Sequence, residues 1–121
     1  MPVAHIAAIN LECPDPAALA AFWAAVLGGD VAIQTPEFCA VKAGPLYVGA
    51  VRVDGYQPPT WPSAERSQQI HLDLAVDDPG DLDDAEAQAV RLGAVKEEHQ
   101  SAPESFRVLR DPAGHPFCLR R

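Results

Sequence analysis

Gln69-Ile70-His71-Leu72-Asp73-Leu74-Ala75-Val76 is the stretch whose reading decides the fold. Apolar residues at 70, 72, 74 and 76 alternate with Gln69, His71, Asp73 and Ala75, the period of a strand with one apolar face. A run this hydrophobic is expected in the middle of a sheet. His71 and Asp73 then share the opposite face, and two polar groups so placed mark the first place to look for a site.

Working outward, residues 77–93 read as a helix with Leu82, Ala85, Ala89 and Leu92 inward and Gly93 as its stop. The acidic run over 77–86 suits a helix start, where free N–H groups and the macrodipole favour carboxylates. Strands are expected at about 94–99, 105–110 and 116–120, with turns at 100–104 and at Asp111-Pro112-Ala113-Gly114. On the N-terminal side, residues 54–68 form a polar, Pro-rich connector carrying Tyr56 and Trp61, too short and too aromatic for disorder. Before it, apolar runs at 31–34, 38–42 and 46–53 are divided by Pro and Gly into three strands.

The first helix has the plainest boundaries. Asp15 is a good N-cap, Pro16 suits the first helical position, and Leu19, Phe22, Trp23, Val26 and Leu27 fall on one stripe before Gly28-Gly29. Residues 3–12 precede it as a strand, with Ile9 and Leu11 facing one way and Asn10 and Glu12 the other. Both halves therefore run β-α-β-β-β. Shifting the second half back by 63 lays Leu72 on Ile9, Leu74 on Leu11, His71 on Ala8 and Asp73 on Asn10. The chain reads as two fused modules, about 1–55 and 68–121, within one domain.

Composition narrows the function. The chain has 121 residues and a net charge of −8, from 17 acidic and 9 basic side chains, with no Lys/Arg stripe. Such a field repels polyphosphates, so nucleic acid is not an expected partner. Cys13, Cys39 and Cys118 are odd in number and scattered, as in a reduced cytoplasmic protein. No membrane-spanning run or secretory leader is read from the sequence. The G-x-S-x-G, G-x-G-x-x-G and H-E-x-x-H motifs do not occur.

The paired modules, Cys13-Pro14-Asp15-Pro16 before a helix with Phe22-Trp23, the His71-x-Asp73 strand and the ending Asp111-Pro112-Ala113-Gly114-His115-Pro116-Phe117 resemble the vicinal oxygen chelate superfamily. That superfamily includes glyoxalase I, extradiol dioxygenases and bleomycin-resistance proteins, and the chain is similar to its small glyoxalase-like domain proteins. The resemblance implies an α+β fold in which two βαβββ modules, related by pseudo-twofold symmetry, curl mixed sheets around a cavity. On that reading Ile9, Leu11, Ile70, Leu72, Leu74, Phe117 and Leu119 lie under the helices, while Ala8, Asn10, His71, Asp73 and Cys118 face the cavity. It also implies a homodimer.

In metal-dependent relatives, the resemblance implies one ligand from the first and one from the last strand of each module. Those positions fall on Ala8, about Val51, His71 and Cys118; Ala8 and Val51 have no donor atom. Two remaining donors make a poor catalytic ion site, so no metal or other cofactor is expected, with His71 and Cys118 as the ligands of any ion that binds. Each candidate also has a plain structural role. His71 and Asp73 form either an acid/base pair or a hydrogen-bonded pair within a sheet; Asn10 is a ligand donor or a satisfied amide; Cys118 is a site group or a core filler. Tyr56 and Trp61 wall a cavity or cover the core. Trp23 reads as core, and His5, His99 and His115 as solvated. The expected function is binding of a small organic molecule without a catalytic metal. The alternative is a lyase, isomerase or dioxygenase-type enzyme using His71 as acid/base or metal ligand.

Overall fold

The computed structural model describes residues 1–77 and 81–121, which divide into two compact units, Met1–Tyr56 and Gln57–Arg121. In the first unit, helix α1 (Pro16–Leu27) starts where its sequence dictates: the extended Asp15 accepts a hydrogen bond from the Ala18 backbone N–H at 3.3 Å, and Pro16 occupies the first turn. Gly28, at φ 69°, turns the chain out of the helix in the left-handed region. Leu19, Phe22 and Trp23 are buried, with the two rings edge to face at 5.1 Å and 84°. Beside the helix, β1 (Ala8–Cys13), β2 (Asp30–Gln34), β3 (Phe38–Ala43) and β4 (Leu46–Arg52) form a sheet in the order β1-β4-β3-β2. β1 and β4 run parallel and the other pairs antiparallel.

The second unit repeats this plan. β5 (Leu72–Ala75), α2 (Leu82–Leu92), β6 (Val95–Lys96), β7 (Phe106–Arg110) and β8 (Pro116–Arg120) follow in order, and the sheet runs β5-β8-β7-β6 with β5 and β8 parallel. The expected α+β pairing of βαβββ modules is thus the observed architecture. Phe117 and Leu119 of β8 and Leu109 of β7 are buried on one face. The same face presents Arg107, whose guanidinium donates to Asp83 at 2.7 Å and Glu86 at 3.1 Å on α2. Arg107 thereby ties helix to sheet, and those hydrogen bonds raise its pKa further.

Several expectations are corrected. The decisive stretch is not a central strand: β5 lies at the end of its own sheet and spans only Leu72–Ala75. Gln69 takes φ 62°, which breaks the pleat, so Ile70 stands 80% exposed instead of under a helix. Alternation identifies one half-buried face, and an edge strand satisfies it as well as an interior one. β1 likewise begins at Ala8 and not at 3, leaving the exposed His5 outside any strand. α2 begins at Leu82, capped by Asp81; Asp78, Pro79 and Gly80 of the expected helix start lie outside the described residues. Leu92, expected inward, is 45% exposed in the helix's last position. The strand expected at 94–99 shrinks to Val95–Lys96: Glu97 N–H still donates to Val108 C=O, but the Val108 N–H goes to the Gln100 side chain, which pairs with both Val108 backbone groups and ends the ladder.

Candidate functional site

The pairing register places the candidate residues. In β5 and β8, Asp73 lies beside Cys118 and Leu72 beside Phe117; in β7, Val108 lies beside Cys118 and Phe106 beside Arg120. Side chains alternate across a sheet, so the face opposite Leu109, Phe117 and Leu119 carries Asp73, Cys118, Val108, Phe106 and Arg120. His71, immediately before β5, joins them. Its Nε2 lies 3.1 Å from Asp73 Oδ1, with both side chains almost half exposed. One donor atom from each of His71, Asp73 and Cys118 falls within 4.8 Å of the others. Arg120 stands at the margin, 4.0 Å from the second Asp73 oxygen.

Two hollows open on this face. One, of about 350 Å³, is lined by the polar cluster, Ser105, Phe106 and Arg120. The other, of about 210 Å³, shares His71, Phe106 and Cys118 and is closed by Trp61, Val108 and Pro116 among others. Polar groups therefore meet where two largely apolar walls join. The thiol of Cys118 is pushed up to about 11, first by burial and then by the Asp73 carboxylate beside it, to which it hydrogen-bonds. It is a thiol at neutral pH, not a nucleophilic thiolate.

Trp61 is held in place by a residue that sequence reading did not single out. Arg110 on β7 pairs with Glu97 and donates to the backbone carbonyls of Pro59 at 3.3 Å and Trp61 at 3.2 Å. The Trp61 ring also lies 5.5 Å from the exposed His99 ring. The connector segment 57–67 thus belongs to the second unit, and Trp61 walls the smaller hollow. Tyr56 closes the first unit, and no hollow described on the second sheet includes it. The family-like ending at 111–115 is a structural turn. Buried Asp111 accepts from the backbone N–H groups of Ala113 and His115 at 2.9 Å and meets the His115 ring at 2.8 Å. The His115 side chain is accordingly mostly buried, 18% exposed, where a solvated ring was expected.

The first unit has no equivalent cluster. Asn10 pairs with Gly49 as Asp73 pairs with Cys118, so the position equivalent to Cys118 is Gly49 and not Val51. Asn10 is exposed, and its amide oxygen occupies the space that a side chain at Gly49 would need. The correction does not restore a ligand: Ala8, Asn10 and Gly49 replace His71, Asp73 and Cys118.

A family model described as glyoxalase-like domain matches residues 8–120. The chain belongs to the glyoxalase-like domain family. The fold of this glyoxalase-like domain is shared with solved structures of low identity. A glyoxalase/bleomycin resistance protein/dioxygenase family enzyme from Burkholderia phytofirmans superposes with TM-score 0.72 at 18% identity, over 96% of this chain and 97% of its own. A fosfomycin resistance protein from Mesorhizobium loti gives 0.72 at 13% identity, over 98% and 92%. A lactoylglutathione lyase from Agrobacterium tumefaciens gives 0.66 at 19%, over 99% and 95%. No curated protein sequence matches the chain.

For a glyoxalase-like domain the fit of a metal can be judged from the donors present. The sequence count stopped at His71 and Cys118; the register adds Asp73, making one nitrogen, one oxygen and one sulfur. Three protein ligands of these types with an open fourth direction are what a zinc-like catalytic ion takes, so the residues fit. Among the described residues no helix is long and apolar enough to cross a membrane.

Proposed function

We propose that this glyoxalase-like domain binds a small organic molecule on the open face of its second sheet. The observation that supports this is the junction of the two hollows, where His71, Asp73 and Cys118 stand between the apolar walls of Phe106 and Trp61. A ligand suited to it has an apolar body for those walls and an oxygen-bearing end for His71 and Arg120. Binding of this kind is tested by thermal-shift screening of small organic acids, ketones and hydroxy compounds. Hits are expected to raise the melting temperature of the native protein and to lose that effect in Phe106→Ala and His71→Ala. Hits that stabilise these variants equally place the ligand elsewhere and overturn the proposal.

A second reading is a lyase or isomerase in which His71 moves a proton. It is favoured by the 3.1 Å contact with Asp73, which orients the imidazole and leaves Nδ1 to face a reacting group. On this reading His71→Ala abolishes turnover of a ligand found by the screen, while Asp73→Asn, which keeps the shape but weakens the pair, retains part of it.

A further inference from the structure

We infer that Gln68 sets the ligand class of the smaller hollow: a single uncharged ring carrying a hydroxyl or amino donor, whose hydrogen bond the Gln68 side-chain carbonyl accepts. The inference rests on the binding reading above and narrows it. Gln68 Oε1 is closed off from solvent and has no hydrogen-bond partner among the described residues. Gln68 also lines the hollow of about 210 Å³ that Trp61 helps to wall. Buried oxygens left without a partner are rare, because folding strips their water and nothing replaces it. A donor arriving through the hollow supplies what the protein does not.

The backbone explains how Gln68 reaches that place. Residues three apart in a strand point to opposite faces, yet Gln68 and His71 line the same hollow. Between them Gln69 takes φ 62°, and the Ile70 N–H donates back to the Gln68 C=O at 2.6 Å, a three-residue turn of the rare, strained kind. Strain of this sort persists where it places a side chain for use. Here it turns Gln68 toward the site and leaves Ile70 outside. Size and charge limit the occupant further. An apolar cavity of about 150 Å³ holds one benzene ring, so the hollow suits one ring with a small substituent. No carboxylate, Lys or Arg among the described residues lines it, so a charged ring would lose its water without compensation. The competing account is a water molecule that donates to the same oxygen, which makes Gln68 indifferent to what the ligand carries.

Phenol, aniline, toluene and benzonitrile are close in size and differ in what the ring bears: a donor, a donor, neither, and an acceptor alone. Each is titrated into isotope-labelled native protein and followed through the Trp61 indole N–H and the Gln68 side-chain amide resonances. Phenol and aniline are expected to bind about 3–10-fold more tightly than toluene, although toluene leaves water more readily, and to shift the Gln68 amide. In Gln68→Met, which keeps the length without the polar end, toluene is expected to bind at least as tightly as phenol, with the fold intact by circular dichroism. Equal binding of phenol and toluene by the native protein, or a preference for phenol that survives Gln68→Met, overturns the role of Gln68 and leaves the binding reading standing. Tighter binding of benzonitrile than of phenol overturns it as well, since the amide then presents its N–H groups to the hollow. If all four leave both resonances unmoved while the wider thermal-shift screen finds ligands, the inference falls alone; if that screen is also empty, both readings fall.

Discussion

Cys118 is the residue whose state reports most directly on the site. Burial and the neighbouring Asp73 raise its pKa to about 11, so the metal-free protein is expected to react slowly with iodoacetamide at neutral pH and to accelerate as pH climbs toward that value. Asp73→Asn removes the carboxylate and shifts the alkylation profile to lower pH; an unmoved profile would show that burial alone holds the proton. The sign for stability follows from the same shift. Because folding raises this pKa, the group favours the folded state below the ordinary thiol range and withdraws that support as pH rises through about 11. At this scale the sequence showed His71 and Asp73 sharing a face, since parity within a strand is local. It did not show that Asp73 lies beside Cys118, because the register of two strands far apart in the chain is written in neither one. Asp111 and His115 were visible only as a turn, and their mutual satisfaction depends on a loop geometry that residue identity alone does not specify.

Among the elements, α1 was legible from end to end because its signals are contiguous: cap, stripe and glycine exit. Its C-terminal pair makes a graded prediction. Gly28 has open space around it and φ 69°, so Gly28→Ala meets only the left-handed backbone cost of about 1–2 kcal/mol. A side chain at Gly29 runs into the Lys42 backbone carbonyl and Val41, which cannot rotate away, so Gly29→Ala is expected to lose more stability by chemical denaturation. Trp23→Ala, at a site only 1% exposed, is expected to cost about 3–5 kcal/mol in the same assay. β5 was less legible because its N-terminal limit is set by the positive φ of Gln69, a residue with no sequence mark of a strand end. The connector was placed correctly in the chain but not in space. Its anchor is Arg110, and Arg110→Ala is expected to free the Pro59 and Trp61 carbonyls, speed hydrogen exchange in residues 58–66 and quench or shift the Trp61 emission. Unchanged exchange there would mean that the connector's own hydrogen bonds, such as that from the Arg66 backbone N–H to the Thr60 hydroxyl, suffice.

For the molecule as a whole, charge and repetition matter more than any single contact. A net charge of −8 on 121 residues is self-repelling, so the melting temperature is expected to rise as salt is added from low ionic strength. A fall would point to attractive pairs such as Arg107 with Asp83 and Glu86 as the dominant electrostatic contribution. The doubled β-α-β-β-β order was legible because two copies of one pattern reinforce each other. The edge position of β5 was not, since strand order is a property of pairing partners. The same doubling carries a lesson for protein engineering. Ala8, Asn10 and Gly49 sit where the other half has His71, Asp73 and Cys118, but a side chain at Gly49 meets the Asn10 amide oxygen and the Phe38 ring, which must both turn aside to admit it. Grafting the trio onto the first half would exchange Asn10 for an Asp of the same shape, which leaves that crowding in place, so the design turns on whether residue 10 and the Phe38 ring can both move aside.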